Sequence, residues 1–268
     1  MARVAFVANP DRPEAEELHT RAADWLTGRG HEVAGAPDDG AVDLVVCLGG
    51  DGTLLRTVAA TLGSAAPVLG VNLGRLGYLT EVEPSGLEDA LERFLAGRYE
   101  IEERMTLAVT LRDPAGQVVA ERSALNEASV EKTVPGHTVR LAASIDGRPF
   151  VTYAADGLLV ASPTGSTAYN LSARGPLLSP RLSAIVLTPV SPHMLFDRPL
   201  VLARDQEVVL EVLGPRPAVL VLDGLTVGTL EPGSTVTCTE GAHPARLVTF
   251  GGRAFHSILR AKFQLADR

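Results

Sequence analysis

The sequence predicts an α/β N-terminal domain followed by a β-rich C-terminal domain, and three observations carry that reading. Up to about residue 100, short apolar runs alternate with segments of helical periodicity, which is the signature of α/β layering. From Met105 to about Phe250 the pattern changes to short β-rich runs split by turns such as Asp113-Pro114-Ala115-Gly116 and Asp146-Gly147-Arg148-Pro149. Runs of that kind indicate mainly antiparallel structure. Within the first region an apolar strand, Leu44 to Leu48, feeds the glycine turn Gly49-Gly50-Asp51-Gly52-Thr53 and then a helix.

The elements follow in order. Arg3 to Ala8 reads as a strand, and Leu18, Ala22, Trp25 and Leu26 recur at i, i+4, i+7 and i+8, predicting a helix over about 14 to 27. His31 to Ala34 and Leu44 to Leu48 read as strands, Thr53 to Thr61 as a helix and Pro67 to Val71 as a further strand. Leu87, Ala90, Leu91, Phe94 and Leu95 mark another helix. Inside the β-rich region, Gly165 to Ala173 has helix-like composition after the turn Ser162-Pro163-Thr164-Gly165. The tail, Ala254 to Phe263, is again helical, and the chain shows no internal repeat or low-complexity linker.

Composition narrows the class. The 268 residues, 46% of them apolar, suffice for one large or two modest domains. The formal charge is 24 minus 32, or −8, with basic residues scattered, so nucleic acid is not an expected partner. Met1 to Ala8 is a short apolar strand rather than a basic segment leading a long apolar one, and no export signal is expected. No apolar run approaches the roughly 20 residues that span a bilayer; no membrane association and a cytoplasmic location are expected. Cys47 and Cys238 lie far apart, excluding a disulfide framework and a CxxC site. His19, His31, His193, His243 and His256 show no metal-ligand spacing, and no protein-held metal is expected.

Four constellations carry chemistry. In the glycine turn, main-chain N–H groups approach anionic oxygens closely and the following helix presents its positive dipole end, an arrangement suited to phosphate. Asp51 would be repelled by bound phosphate, so it points to a hydroxyl group or a metal ion; an ordinary surface turn remains the alternative. Leu125-Asn126-Glu127 is suited to hydrogen-bonding a ribose or an amide, or else is a strand-end turn. In Asp156 to Tyr169, a β run enters a Pro-Thr-Gly turn and a Ser/Thr-capped helix. Small residues there admit a planar base and Tyr169 is placed to stack, or the string is a helix cap with a core tyrosine. Gly70 to Leu79 punctuates a strand end, where open α/β sheets bind ligands, unless its glycines serve only the backbone.

Together, GGDGT, NLGRLGYL, LNE and DGLLVASPTGSTAYNLS, in this order and spacing over nearly the whole chain, resemble the NAD kinases. GGDGT alone is less specific, since diacylglycerol and sphingosine kinases carry a similar loop and phosphofructokinases a related one. The resemblance implies a Rossmann-like, phosphofructokinase-like α/β domain, residues 1–100 plus about 251–268, with the tail returning to it. It implies a β-sandwich-like domain over 101–250. The implied reaction moves a phosphoryl group from ATP, or inorganic polyphosphate, to the 2′-hydroxyl of the adenosine ribose of NAD, giving NADP.

Carried over residue by residue, the resemblance makes Asp51 the proton acceptor, and Gly49, Gly50, Gly52 and Thr53 a phosphate cradle assisted by Arg56. Asp51, Gly52 and Arg56 also fall among the NAD-binding positions. Asn126 and Glu127 would hold the adenosine ribose, Asp156 would lie near the nicotinamide end, and Thr167, Ala168, Tyr169, Asn170, Leu171 and Ser172 would surround the base. Tyr78 matches an aromatic position of the family. His137 matches a polar or basic one, unless it is a plain loop histidine beside Pro135-Gly136. Mg²⁺ or another divalent cation would arrive with the donor. Relatives form dimers or tetramers, and a homo-oligomer is expected. Asp223-Gly224-Leu225 departs from the family where many relatives have Gln after Asp-Gly; Asn170 and Arg174 replace the more usual Ser and Gly at what would be the pocket's rim. Asp223-Gly224 by itself reads as a hairpin turn.

Three other readings compete. A lipid kinase sharing the glycine loop would need an apolar acceptor pocket, which the hydroxyl-rich 164 to 172 segment does not suggest. A non-catalytic dinucleotide sensor would have little use for Asp51. A Rossmann dehydrogenase is disfavoured because the first strand runs into Asn9-Pro10-Asp11-Arg12-Pro13 without G-x-G-x-x-G.

Overall fold

The computed structural model describes residues 1–268 except 38, 40, 75, 76, 252, 253 and 266–268. The chain divides into two compact units, Met1–Arg104 with Ala245–Arg268, and Met105–Pro244. In chain order the first unit begins with β1 (Arg3–Ala8), α1 (Pro13–Thr27), β2 (Glu32–Ala34), β3 (Leu44–Gly49), α2 (Asp51–Thr61), β4 (Val68–Asn72), α3 (Leu87–Leu95) and β5 (Glu100–Arg104). The second unit contains β6 (Leu107–Arg112), β7 (Val118–Ala124), β8 (Glu127–Lys132), β9 (Val139–Ile145), β10 (Arg148–Ala155) and β11 (Gly157–Ala161). It continues with α4 (Tyr169–Ser172), β12 (Ala184–Val190), β13 (Leu200–Ala203), β14 (Val208–Leu213), β15 (Ala218–Leu222), β16 (Leu225–Leu230) and β17 (Thr235–Glu240). β18 (Ala245–Thr249) and α5 (Phe255–Phe263) then rejoin the first unit.

The first unit's sheet runs β2-β1-β3-β4-β18-β5. Its first five strands are parallel and β5 is an antiparallel edge. Every residue of β3 and β4 is buried, as expected for parallel strands covered on both faces. Leu18, Ala22 and Leu26 of α1 and Leu87, Leu91 and Phe94 of α3 pack with Leu44, Val46, Leu69 and Val71 of the sheet. Pro13 opens α1, where its fixed φ suits a first turn. α2 starts at Asp51, two residues before the periodicity places it, because Gly50 caps the helix and its carbonyl accepts the N–H of Thr53 (3.0 Å) and Leu54 (3.1 Å).

The second unit holds two six-stranded sheets, β10-β9-β14-β17-β6-β7 and β13-β12-β11-β8-β15-β16, with antiparallel pairing throughout. Alternate residues face one core: Leu107, Val109, Leu141 and Tyr153 from the first sheet, Val130, Leu158, Leu187 and Leu220 from the second. The expected helix over 165–173 is interrupted. A 3₁₀ turn, Thr164–Thr167, gives way at Ala168 (φ −100°, ψ −130°) to the single turn α4. Side chains of this segment bond to distant backbone groups instead: Ser166 Oγ donates to Leu178 O (3.2 Å) and accepts its N–H (3.0 Å). A continuous helix would break those bonds.

Candidate active site

In the first unit the glycine turn is built by β3 and α2. Thr53 is 3% exposed, its N–H is spent on Gly50 O, and its side chain packs so closely on Gly49 that a Cβ there would collide with it. Thr53 thus shapes the turn, with its N–H already engaged and its side chain lying against Gly49. The donors that remain at the helix N-terminus are the main-chain N–H groups of Asp51 and Gly52, which precede the first helical hydrogen bonds. Arg56, one turn on, is exposed.

The Asp51 carboxylate is held at both oxygens. Tyr78 donates its main-chain N–H to Oδ2 (2.8 Å) and Leu79 donates to Oδ1 (3.1 Å). These donors come from the glycine-rich segment after β4, part of which (Arg75, Leu76) lies outside the described residues. Gly77 permits the approach, because a Cβ on it would strike the Asp51 carboxylate and Thr80 Oγ1. The Tyr78 ring lies beneath Lys262 Nζ of α5, 4.2 Å from its centroid, and burial, then the Asp51 charge, raises its pKa.

In the second unit the Asn126-Glu127 step, between β7 and β8, is fixed from two sides. Asp223 sits in the β15–β16 hairpin with φ 48°, followed by Gly224 at φ 79°, the paired positive values of a tight two-residue turn. Its carboxylate accepts the N–H groups of Leu125 (2.8 Å), Asn126 (2.7 Å) and Glu127 (3.1 Å). The hairpin expectation therefore holds, but the turn residue is also a clamp. From the other side Ser162 donates its N–H to Asn126 O (2.8 Å) and its hydroxyl to Leu125 O. Gly165 lies so close to the Asn126 backbone that any Cβ there would overlap it.

The clamp leaves the Asn126 side chain half-buried, while Glu127 is 7% exposed with Oε2 unpartnered among the described residues. Burial, followed by the charge of Asp223, pushes the Glu127 carboxyl up to about 8, partly offset by the Tyr169 main-chain N–H. Glu127 is therefore largely protonated at neutral pH. Tyr169 is half-buried, and its pKa is raised by burial and by Glu131, Asp156 and Glu127. Neither a solvent-facing ring nor a plain core tyrosine describes it.

The other expected site residues divide. Asp156 is paired with Lys132 Nζ (2.6 Å). Thr167, Ala168 and Leu171 are half-buried and Ser172 is exposed. His137 lies in the exposed 133–137 loop after Gly136 (φ 79°), bonded to no other expected site residue among those described. Asn170 differs from expectation: it is 0% exposed, donates to Pro176 O (3.0 Å) and Ser166 O (3.4 Å), and accepts the Thr188 hydroxyl (2.6 Å). It ties the 164–178 segment together from a fully buried position, with both amide hydrogens donated and its oxygen accepting one hydroxyl. Arg174, in contrast, takes up the left-handed backbone (φ 64°) where glycine is favoured.

A glycine turn at a helix N-terminus with an anchored acid beside it is the arrangement of α/β proteins that handle phosphate groups. Residues 31–99 match the family model of the ATP-NAD kinase N-terminal domain and residues 125–250 that of the ATP-NAD kinase C-terminal domain. The chain is 44% identical to an NAD kinase of Heliobacterium modesticaldum, covering 98% of this chain and 99% of that one, and 40% identical to one of Moorella thermoacetica (98% and 90%). The chain belongs to the NAD kinase family. Among solved structures, an NAD kinase from Archaeoglobus fulgidus in complex with ATP superposes with a TM-score of 0.78 at 25% identity over 99% of both chains. A yeast NADH kinase complexed with NADH gives 0.89 at 22% identity, over 100% of this chain and 89% of that one, a likeness of fold.

Proposed function

We propose that this chain phosphorylates NAD to NADP by moving a phosphoryl group from ATP, or polyphosphate, to the 2′-hydroxyl of the adenosine ribose, with Asp51 accepting the hydroxyl proton. The observation that carries the assignment is the grip of two main-chain N–H groups on the Asp51 carboxylate at the first turn of α2. A carboxylate is a weak base toward an alcohol, but in a loose phosphoryl-transfer transition state the proton leaves late. Orienting the hydroxyl is then much of what the group contributes, and a fixed carboxylate does that.

Main-chain N–H groups of the Gly49-Gly50-Asp51-Gly52 turn would hold the donor's phosphates, with Arg56 adding charge. Asn126 and the protonated carboxyl of Glu127, whose Oε2 has no partner among the described residues, would bind the ribose hydroxyls; Thr167, Ala168, Tyr169, Leu171 and Ser172 would enclose the base. Asp156 would serve the nicotinamide end, with Tyr78 and His137 as outlying contacts. A divalent cation carried in on the donor's phosphates would neutralise their charge, and it needs only one or two protein carboxylates. Asp51 is the acid next to that turn. Assembly as a homodimer or homotetramer in the cytoplasm completes the reading. In the test, Asp51→Asn lowers turnover by roughly two or more orders of magnitude while NAD binding stays measurable. Wild-type turnover in that variant would overturn the role.

A further inference from the structure

The C-terminal tail touches the segment that holds Asp51 near both of its ends. The first contact comes where β18 finishes. Glu81 Oε1 accepts the Thr249 hydroxyl (3.2 Å) and the Phe250 N–H (3.1 Å). Arg93 of α3 lies on the Phe250 ring, 4.3 Å from its centroid, and donates to Phe250 O (3.4 Å). Glu81 is itself tied to β4, because its N–H is donated to Gly70 O (3.0 Å).

The second contact is made by α5. Phe255, Ile258, Leu259 and Lys262, at i, i+3, i+4 and i+7, are half-buried while the rest of the helix is exposed, so one face rests on the unit. None of its residues is fully buried. Arg260 and Lys262 suit the negative end of the helix dipole, and Gln264 closes the helix at φ 51°. A helix that removes so little apolar surface from water adds modestly to the core. What it delivers is the Lys262 ammonium, 4.2 Å from the centroid of the Tyr78 ring.

These contacts bracket Gly77 to Glu81. Within that span Gly77 and Thr80 are buried, but Tyr78 and Leu79, whose N–H groups hold the Asp51 carboxylate, are only half-buried. Packing from within the unit therefore fixes the two donors least, and the tail covers one of them from outside. We infer that α5 is a strap for the Asp51 site and that Lys262 is a positioning residue, whose hold on the Tyr78 ring keeps the Tyr78 and Leu79 N–H groups aimed at the carboxylate. A cation on an aromatic face at an accessible site is worth about two- to fivefold in an equilibrium. The consequence for catalysis rests on Asp51 being the proton acceptor.

The test compares wild type with Lys262→Met, which keeps the stem and removes the charge, and Lys262→Arg, which keeps a cation for the ring. It measures kcat, the KM for NAD, and amide hydrogen exchange at Tyr78 and Leu79 in the full chain without substrates. Lys262→Met is expected to lower kcat about two- to fivefold and to speed exchange at those two amides by a similar factor. The KM for NAD should stay within about twofold, exchange in β3 should not change, and Lys262→Arg should restore both kcat and exchange. Unchanged exchange at both amides in Lys262→Met, or no restoration by Lys262→Arg, would overturn the strap. So would faster exchange with kcat retained while Asp51→Asn is inactive. If exchange speeds up and Asp51→Asn turns over as wild type does, the proton-acceptor reading fails and the strap stands.

Discussion

Replacing Glu127 with glutamine keeps the shape of a buried side chain and removes its titration. In the folded chain the Glu127 carboxyl is raised from 4.5 to about 8 by burial and then by Asp223. At about 1.4 kcal/mol per pK unit, the cost of ionising it in place is at most on the order of 5 kcal/mol, and relaxation around the site brings a realistic figure to about 2 kcal/mol. The sign follows from linkage. Because the folded value lies above the unfolded one, the folded state binds more protons in the interval between them, so stability is highest below about 4.5 and falls as pH rises toward about 8. Above that pH the loss is complete and constant. Glu127→Gln should therefore match wild type near pH 4.5 and exceed it by about 2 kcal/mol at pH 8.5. Urea unfolding followed by circular dichroism across that range measures the difference directly. Parallel curves for the two proteins would refute the claim that Glu127 is a proton carrier in the folded state.

Three further substitutions follow from the same contacts. Asp223→Asn puts an NH₂ group among three donors now gathered on a carboxylate, which should cost about 3 kcal/mol in urea unfolding and lower the apparent pKa of Glu127; an unmoved Glu127 titration would remove Asp223 as a cause. Gly77→Ala drives a methyl group against the Asp51 carboxylate, so kcat should drop by roughly a hundredfold with little change in the KM for NAD. Equal losses in a general stability assay would instead make it a folding defect. Gly165→Ala sets a Cβ against the Asn126 backbone, which has no freedom to retreat, and should lower stability by about 1–3 kcal/mol in the same unfolding assay.

What the sequence made legible was local. Leu18, Ala22 and Leu26 announce a helix because their spacing alone puts them on one face, and the apolar run Leu44 to Leu48 reads as a buried parallel strand for similar reasons. The motif string identified the family through residue types in order. What escaped depended on partners far along the chain. The 165–173 segment has the composition of a helix, but Ser166 and Asn170 bond to Leu178, Pro176 and Thr188, and these partners broke the helix at Ala168. Asp223 looked like a turn residue because its three N–H donors lie nearly a hundred positions earlier. Asn170 is buried between Thr167 to Tyr169 and Leu171 to Ser172, which are all at least partly accessible, a difference that residue type alone does not show.

The strand order of the first unit sets a timetable for its assembly. β18 lies between β4 and β5, so the sheet carrying the glycine turn lacks a central strand until residue 249 has been made. On a ribosome adding about 5–20 residues per second, the early chain waits roughly seven to thirty seconds after β5 emerges. During that interval β4 presents an unpaired edge beside the glycine turn, the kind of edge that invites pairing with another chain. The inserted β-rich unit can close on its own strands in the meantime. The α/β unit, first to be synthesised, is the last to be finished.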